Sequence, residues 1–303
     1  MPDLRVTLSG LRLRNPTMLA AGILGTSASM LTRAYREGAG AVVTKSVGLS
    51  PRSGYPNPTI VEVECGYVNA MGLPNPGTEE FASEVRDAKK AGVKLVASVY
   101  GFSAEDFAQA SVVMEEAGAD GIELNLSCPH VSGTGVEIGA DLDLVSDVVK
   151  AVGDVTSVPI FAKISALYPR VPELGAVVER SGADGITAIN TLRAMVIDTT
   201  VRRPILAGIY GGLSGPAIRP VAVRCVYELY ESVDIPIIGV GGITGWEDAV
   251  EFVLAGATAV QIGTAVGRRG LRVFKDVTEG LRRYLADGGF KSIKDVIGLA
   301  HGE

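Results

Sequence analysis

Four segments of this chain open on the same small pair and run into a short apolar stretch. They are Gly-Ala-Gly-Ala-Val-Val-Thr-Lys (38–45), Gly-Ala-Asp-Gly-Ile-Glu-Leu-Asn (118–125), Gly-Ala-Asp-Gly-Ile-Thr-Ala-Ile-Asn (182–190) and Gly-Ala-Thr-Ala-Val-Gln-Ile-Gly (256–263). Each follows a helix-like stretch, so the leading glycine reads as a cap just past a helix end and the Val/Ile run as a strand. Between them lie four apolar strands of another type, Thr17–Gly22, Lys94–Tyr100, Pro159–Ser165 and Pro236–Gly241. Three of these begin at or just after a proline, a residue tolerated at a strand's first position. Interleaving the two sets predicts eight strands, near residues 17, 40, 94, 121, 159, 185, 236 and 258. A period-two repeat of βα units predicts a closed, parallel (β/α)8 barrel. A doubly wound open sheet is the alternative, but it has no need of alternating strand types.

Helical patterns fill most of the gaps, at 79–91, 104–117, 141–153, 172–182, 216–232 and 246–255, with Ser103 and Thr244 standing at N-cap positions before early acids. Residues 4–14 alternate apolar and polar on both sides of Ser9-Gly10, which predicts an N-terminal hairpin capping one end of the domain. Long connections, 47–78 and 192–215, are expected over the C-terminal face. At 303 residues the chain fits one barrel domain, 1–303.

The formal charge of −6 argues against a nucleic-acid groove or an anionic membrane surface as partner. Three scattered cysteines (Cys65, Cys128, Cys225) and two histidines form neither a disulfide framework nor a metal cage, and they suit a reducing cytoplasm. No signal peptide is visible, and no apolar run reaches the ~18 residues of a membrane span.

In a barrel the C-terminal strand ends share one mouth. They collect Ala21-Gly22, Lys45-Ser46, Ser98, Asn125 with Cys128, Lys163, Asn190-Thr191, Gly241-Gly242 and Gly263-Thr264. Glu123, Asn125 and Ser127 alternate and so share a face. Cys128 sits at a strand end before Pro129 and a Gly-rich loop, Ser132 to Gly139. It is either a reactive thiol or one of the many buried, inert ones. Lys45 and Lys163 lie inside apolar strands, where an ammonium needs an anion or polar ligand unless it snorkels to solvent. Gly239–Ile243, Ile262–Ala265 and Gly211–Ala217 are three small-residue loops feeding helical stretches. They read either as tight turns or as a cradle of backbone N–H groups for a phosphate. Neither His130 nor His301 is placed to activate a serine, and His301 is expected to be exposed. No Gly-x-Gly-x-x-Gly follows the first strand.

Six motifs then carry a resemblance: Asn-Leu-Ser-Cys-Pro (125–129), Asn-Ala-Met-Gly-Leu-Pro-Asn (69–75), Thr-Lys-Ser (44–46), Ile-Asn-Thr-Leu-Arg-Ala-Met-Val-Ile-Asp (189–198), Gly-Gly-Leu-Ser-Gly-Pro-Ala-Ile-Arg-Pro (211–220) and Ile-Gly-Val-Gly-Gly-Ile (238–243). In this order, over residues 4 to 285, the chain resembles class 1 dihydroorotate dehydrogenases. The block 211–220 and the Asn-Thr pair resemble the 1B branch, a TIM-barrel catalytic subunit of pyrimidine biosynthesis. The resemblance implies FMN in the barrel mouth. Its phosphate would lie on Gly215, Gly241-Gly242 and Gly263-Thr264, and Ala21, Lys45-Ser46, Ser98, Asn125, Lys163 and Ile189 would lie along the flavin. Dihydroorotate would be held by Lys45, Asn69, Ala70, Met71, Gly72, Leu73, Asn125, Asn190 and Thr191, with His130 beside it. Cys128 would take the C5 proton while C6 passes a hydride to flavin N5.

Two residues depart from the family pattern. His130 stands where Asn is usual after the cysteine, and Ser98 where the 1B branch has Asn. Ser-Cys-Pro-His also occurs in dihydropyrimidine dehydrogenase, which reduces uracil and thymine, so that activity is the alternative, and a non-catalytic flavin-binding assembly subunit is a third. The 1B resemblance further implies a homodimer core and a partner subunit carrying FAD and an iron–sulfur cluster.

Overall fold

The structure is a computed structural model and describes residues 1–127 and 138–302. The eight expected strands all form. They are β1 (Thr17–Leu19), β2 (Ala41–Val43), β3 (Leu95–Val99), β4 (Gly121–Asn125), β5 (Ile160–Ile164), β6 (Gly185–Ala188), β7 (Ile237–Val240) and β8 (Ala257–Ile262). Neighbours in sequence pair in parallel, and β8 returns to β1 with Val260 opposite Thr17, so the sheet closes on itself. The open-sheet alternative is excluded by that closure.

The expected helices appear as α2 (Thr78–Lys90), α3 (Ala104–Glu116), α4 (Leu142–Gly153), α5 (Val171–Arg180), α6 (Arg219–Tyr230) and α7 (Trp246–Leu254). Ser103 caps α3, its hydroxyl accepting from the Asp106 N–H. Thr244 is not the cap of α7. That position falls one residue later, on Gly245, and Asp248 reaches back to accept from the backbone N–H groups of Thr244 and Gly245 and from the Thr244 hydroxyl. α1 (Ala28–Arg36) and α9 (Val273–Asp287) were not foreseen, and the short α8 (Thr264–Arg269) opens at Gly263.

The hairpin forms between Val6–Leu8 and Leu11–Leu13, with Ser9 and Gly10 both at positive φ, as a two-residue turn matched to strand twist demands. Its inward residues join the main core. The Ser9 hydroxyl donates to the carbonyl of Asp184, just ahead of β6, so the hairpin covers the end of the barrel opposite the mouth.

The two long connections do lie over the C-terminal face, and they are ordered into a sheet that the sequence did not announce. Strands Ile60–Val63, Gly66–Asn69, Gly211–Ser214 and Leu192–Ala194 form a four-stranded antiparallel roof, with Asn69 opposite Gly212. Val68, Ala70 and Leu206 make a small separate core beneath it. His301, expected to be exposed, is instead stacked on the Tyr227 ring at 3.7 Å, with Tyr230 beside it and its Nε2 3.1 Å from the Ala255 carbonyl. No helix among the described residues is long and apolar enough to cross a membrane.

Candidate active site

The Gly-Ala repeat places chemistry by position. Its sixth residue is Val43, Glu123, Thr187 or Gln261, and its eighth is Lys45, Asn125, Ile189 or Gly263. Side chains two apart on a strand share a face, so both sets point into the barrel, the eighth one layer nearer the mouth. All four sixth residues are buried. All four eighth residues line a cavity of about 950 Å³ between barrel mouth and roof, a volume at the upper end for small-molecule sites.

The floor beneath that cavity is ionic. The Lys163 ammonium, from β5, lies 3.3 Å from Glu123 Oε1 and 3.4 Å from Gln261 Oε1. Gln261 Nε2 donates to Glu123 Oε2 at 2.6 Å, and the Thr187 hydroxyl donates to the same oxygen at 3.3 Å. A buried carboxylate and ammonium are tolerable only because each has the other and a polar neighbour as well. Lys163 therefore does not snorkel; it is fixed at the floor and still lines the cavity.

Above it runs a chain of side-chain hydrogen bonds across β2, β3, β4 and the end of β6. The Ser98 and Ser46 hydroxyls are 2.9 Å apart, Asn125 Nδ2 donates to Ser46 Oγ at 3.2 Å, and Asn190 Nδ2 donates to Asn125 Oδ1 at 3.0 Å. Asn190 Oδ1 in turn accepts from the Thr191 N–H at 2.8 Å. Each amide keeps a second N–H. Ser98 does not itself line the cavity; it is fully buried, its N–H donates to Thr44 Oγ1, and its hydroxyl meets Ser46. Ser127 Oγ is buried at the cavity wall and has no hydrogen-bond partner among the described residues.

At one side three glycine corners converge. Gly242 (φ +74) lies so close to Gly215 (φ +102) that a Cβ on it would stand 2.7 Å from the Gly215 carbonyl oxygen. A Cβ on Gly215 would stand 3.3 Å from Thr264 Cγ2, and the Thr264 hydroxyl meets Ser214 Oγ at 2.9 Å. Gly215, Gly241, Gly242, Gly263 and Thr264 all border the cavity, as do Ala21, Lys45, Ser46 and Ile189. On the roof side stand Asn69, Ala70, Met71, Gly72 and Leu73, with Gly72 and Leu73 both at positive φ and Asn69 Nδ2 donating to the Gly212 carbonyl. A glycine in such a loop lets backbone N–H groups come close to an anion, which suits a carboxylate.

Cys128 and His130, and all of the Gly-rich loop before Ile138, lie outside the described residues. Cys225 is buried on α6, away from the cavity, and burial pushes its thiol up; Cys65 is exposed in a turn of the roof. No group of three or more potential metal ligands occurs among the described residues. Sequence reasoning missed Arg52, Arg193 and Gln261, which also border the cavity. For Gln261 the signal was present, as a polar residue at the sixth position of a repeat whose other copies hold Glu123 and Thr187.

A family model described as dihydroorotate dehydrogenase matches residues 3–285. Among similar proteins, the dihydroorotate dehydrogenase B (NAD(+)) catalytic subunit of Pyrococcus abyssi is 52% identical over 297 residues, covering 98% of this chain and 99% of its own. The protein of the same name from Methanothermobacter thermautotrophicus is 51% identical, covering 98% of each chain. That from Thermoplasma volcanium is 46% identical, covering 99% of each. With the match running through both the barrel and the loops that wall its cavity, the chain belongs to the dihydroorotate dehydrogenase family.

Proposed function

We propose that this chain oxidises dihydroorotate to orotate, the activity that its relatives' name states, with FMN held in the barrel mouth. The observation that supports this most is the convergence of the Gly215, Gly242 and Gly263 corners at one side of a cavity whose wall is a continuous array of amides and hydroxyls. The corners suit a phosphate, the array suits a polar heterocycle, and the buried Ser127 hydroxyl, without a hydrogen-bond partner among the described residues, adds a further polar group at the same wall. FMN, when bound, supplies the acceptor for a hydride leaving C6 of the substrate. The chain's own residues do the rest. Gly215, Gly241, Gly242, Gly263 and Thr264 would hold the phosphate, while Ala21, Lys45, Ser46, Asn125, Lys163 and Ile189 would border the ring. Ser98 acts through Ser46.

Met71-Gly72-Leu73 and Lys45 take the substrate carboxylate. Asn69, Asn125, Asn190 and Thr191 orient its ring through N–H and hydroxyl groups not used within the network, and Ala70, its own N–H given to the Thr59 carbonyl, packs beside it. Cys128, one peptide bond beyond Ser127, removes the C5 proton, so that proton and hydride depart from adjacent carbons and leave the C5–C6 double bond. His130 stands two residues on, as a hydrogen-bond donor to the bound anion. Uracil and thymine lack the carboxylate that the Met71–Leu73 turn suits, and none of the relatives above is named for acting on them.

The relatives' name also includes NAD(+) and a catalytic subunit, which supports a partner. An iron–sulfur cluster takes about four clustered ligands, and three scattered cysteines do not provide them. Electron delivery to NAD therefore belongs to a second subunit carrying FAD and such a cluster, with a homodimer of this chain as the core.

Anaerobic addition of dihydroorotate to FMN-loaded protein is expected to bleach the flavin absorbance, and uracil or thymine is not expected to reoxidise the reduced protein. A flavin that stays oxidised in dihydroorotate would refute the assignment. The isolated chain is expected to reduce artificial acceptors far faster than NAD; efficient NAD reduction by the single chain would remove the need for the partner.

A further inference from the structure

The protein carries a formal charge of −6, yet every charged side chain bordering its cavity, among the described residues, is a cation: Lys45, Arg52, Lys163 and Arg193. Lys163 is balanced by Glu123 at the floor. Arg52 and Arg193 are exposed and come from the two long connections over the mouth, Arg193 from the roof strand Leu192–Ala194 and Arg52 from the segment bridged to Asn75. Each guanidinium rests on an aromatic ring that also borders the cavity. Arg193 lies 4.5 Å from the centroid of Tyr210, and Arg52 lies 5.5 Å from that of Phe102. Among the described residues neither forms an ion pair, and no acidic side chain borders the cavity beside them.

Two arginines stacked on rings at a cavity rim keep their full charge, and the rings hold them there without neutralising it. A concave, low-dielectric wall then concentrates the potential at the mouth, raising the local concentration of anions over the value in bulk.

We propose that Arg52 and Arg193 form an anion-capture rim that recruits the carboxylate-bearing substrate and retains its anionic product, acting through charge at a distance and not through contact with the reacting atoms. The inference rests on the function proposed above and extends it to two residues outside the reacting array.

The test compares Arg193→Gln, Arg52→Gln and the double variant with Arg12→Gln, which removes one charge from the hairpin at the far end of the barrel. In FMN-loaded protein at low salt, each rim variant is expected to raise KM for dihydroorotate and Kd for orotate about threefold to fivefold. The double variant is expected to show roughly the product of the two, with kcat within twofold of the parent. The slope of log(kcat/KM) against log salt should flatten in the rim variants, Arg12→Gln should match the parent, and Arg193→Lys should keep most of the slope. Salt slopes equal to the parent's in both rim variants would overturn the proposal. So would an Arg193→Lys protein as impaired as Arg193→Gln, because that marks a shape-specific contact. If the parent fails to oxidise dihydroorotate, the fault lies with the underlying function; if it turns over normally but the slopes do not move, only the rim is wrong.

Discussion

At the scale of single residues, the cavity is a set of positions where one atom more or less decides the outcome. Gly242 needs its positive φ, and it abuts Gly215 so closely that Gly242→Ala sets a methyl 2.7 Å from a carbonyl oxygen. A non-glycine residue in such a left-handed conformation costs about 1–2 kcal/mol before that clash; relief of both by a shift of the loop out of the shape that suits a phosphate is expected to weaken FMN binding by about tenfold. Quenching of FMN fluorescence on titration measures this, and unchanged affinity would separate Gly242 from the phosphate. For Cys128→Ala, FMN binding is expected to persist while flavin reduction by dihydroorotate slows by roughly 10²–10⁴, the usual share of a general base. Stopped-flow absorbance reads the rate, and a variant as fast as the parent would make the thiol inert. The strand-end members of the cavity lining, Lys45, Asn125, Lys163 and Gly263 among them, could be read from the sequence because such positions in a βα repeat share one mouth, whereas Asn69 to Leu73 came only with the family resemblance. Ser98 shows where that reasoning stops. A strand end names a neighbourhood, and only packing shows that this hydroxyl spends itself on Ser46 instead of facing the cavity.

At the scale of elements, Asp120 ties three of them together. It sits between α3 and β4, receives Lys89 from the end of α2 and Lys94 at 3.0 Å, and accepts from the Leu95 N–H at the start of β3 at 2.9 Å. Burial pushes its carboxyl up, but the hydrogen bonds from Lys89, Leu95 and Lys94 outweigh that and hold it below the ordinary aspartate value. A group that ionises more readily in the folded chain stabilises the fold above the unfolded pKa of ~3.9. That stabilisation is lost as pH falls through the lower folded value. Asp120→Asn is therefore expected to cost about 1–3 kcal/mol at neutral pH, with the gap from the parent narrowing in acid. Urea denaturation at pH 7 and below pH 4 tests it, and a gap that does not change with pH would show that charge is not the cause. The eight barrel strands were legible because burial on both faces writes them as short apolar runs. α1 and α9 were not. The stretch 28–36 has only Leu31 and Ala34 fully buried, and α9 lies beyond the last Gly-Ala unit that marked where to look. The roof strands escaped for a different reason, since Gly211–Ser214 has little strand propensity and is held by its partners.

At the scale of the whole molecule, the roof joins pieces that the chain keeps far apart. Asn69 and the Gly212 carbonyl it bonds are 143 residues distant in sequence, with β3 to β6 and their helices between them. Each half pairs within itself, Ile60–Val63 with Gly66–Asn69 and Leu192–Ala194 with Gly211–Ser214, but bringing the two halves together by chance carries the loop entropy of everything between. The barrel removes that cost by delivering both connections to the same rim. Acquisition of the binding cavity is thus expected to trail barrel closure in time, as contacts of long sequence separation generally do. In pulsed hydrogen exchange during refolding, amides of β3 to β5 should gain protection before those of Gly66–Asn69 and Gly211–Ser214, and simultaneous protection would count against that order. A nascent chain that has completed its first six strands would then contain the Ile60–Val63 and Gly66–Asn69 strands of the roof but neither Leu192–Ala194 nor Gly211–Ser214, and would hold no walled site until those two arrive. Ligand capture would report, in the folding of this enzyme, on the last long-range pairing to be made.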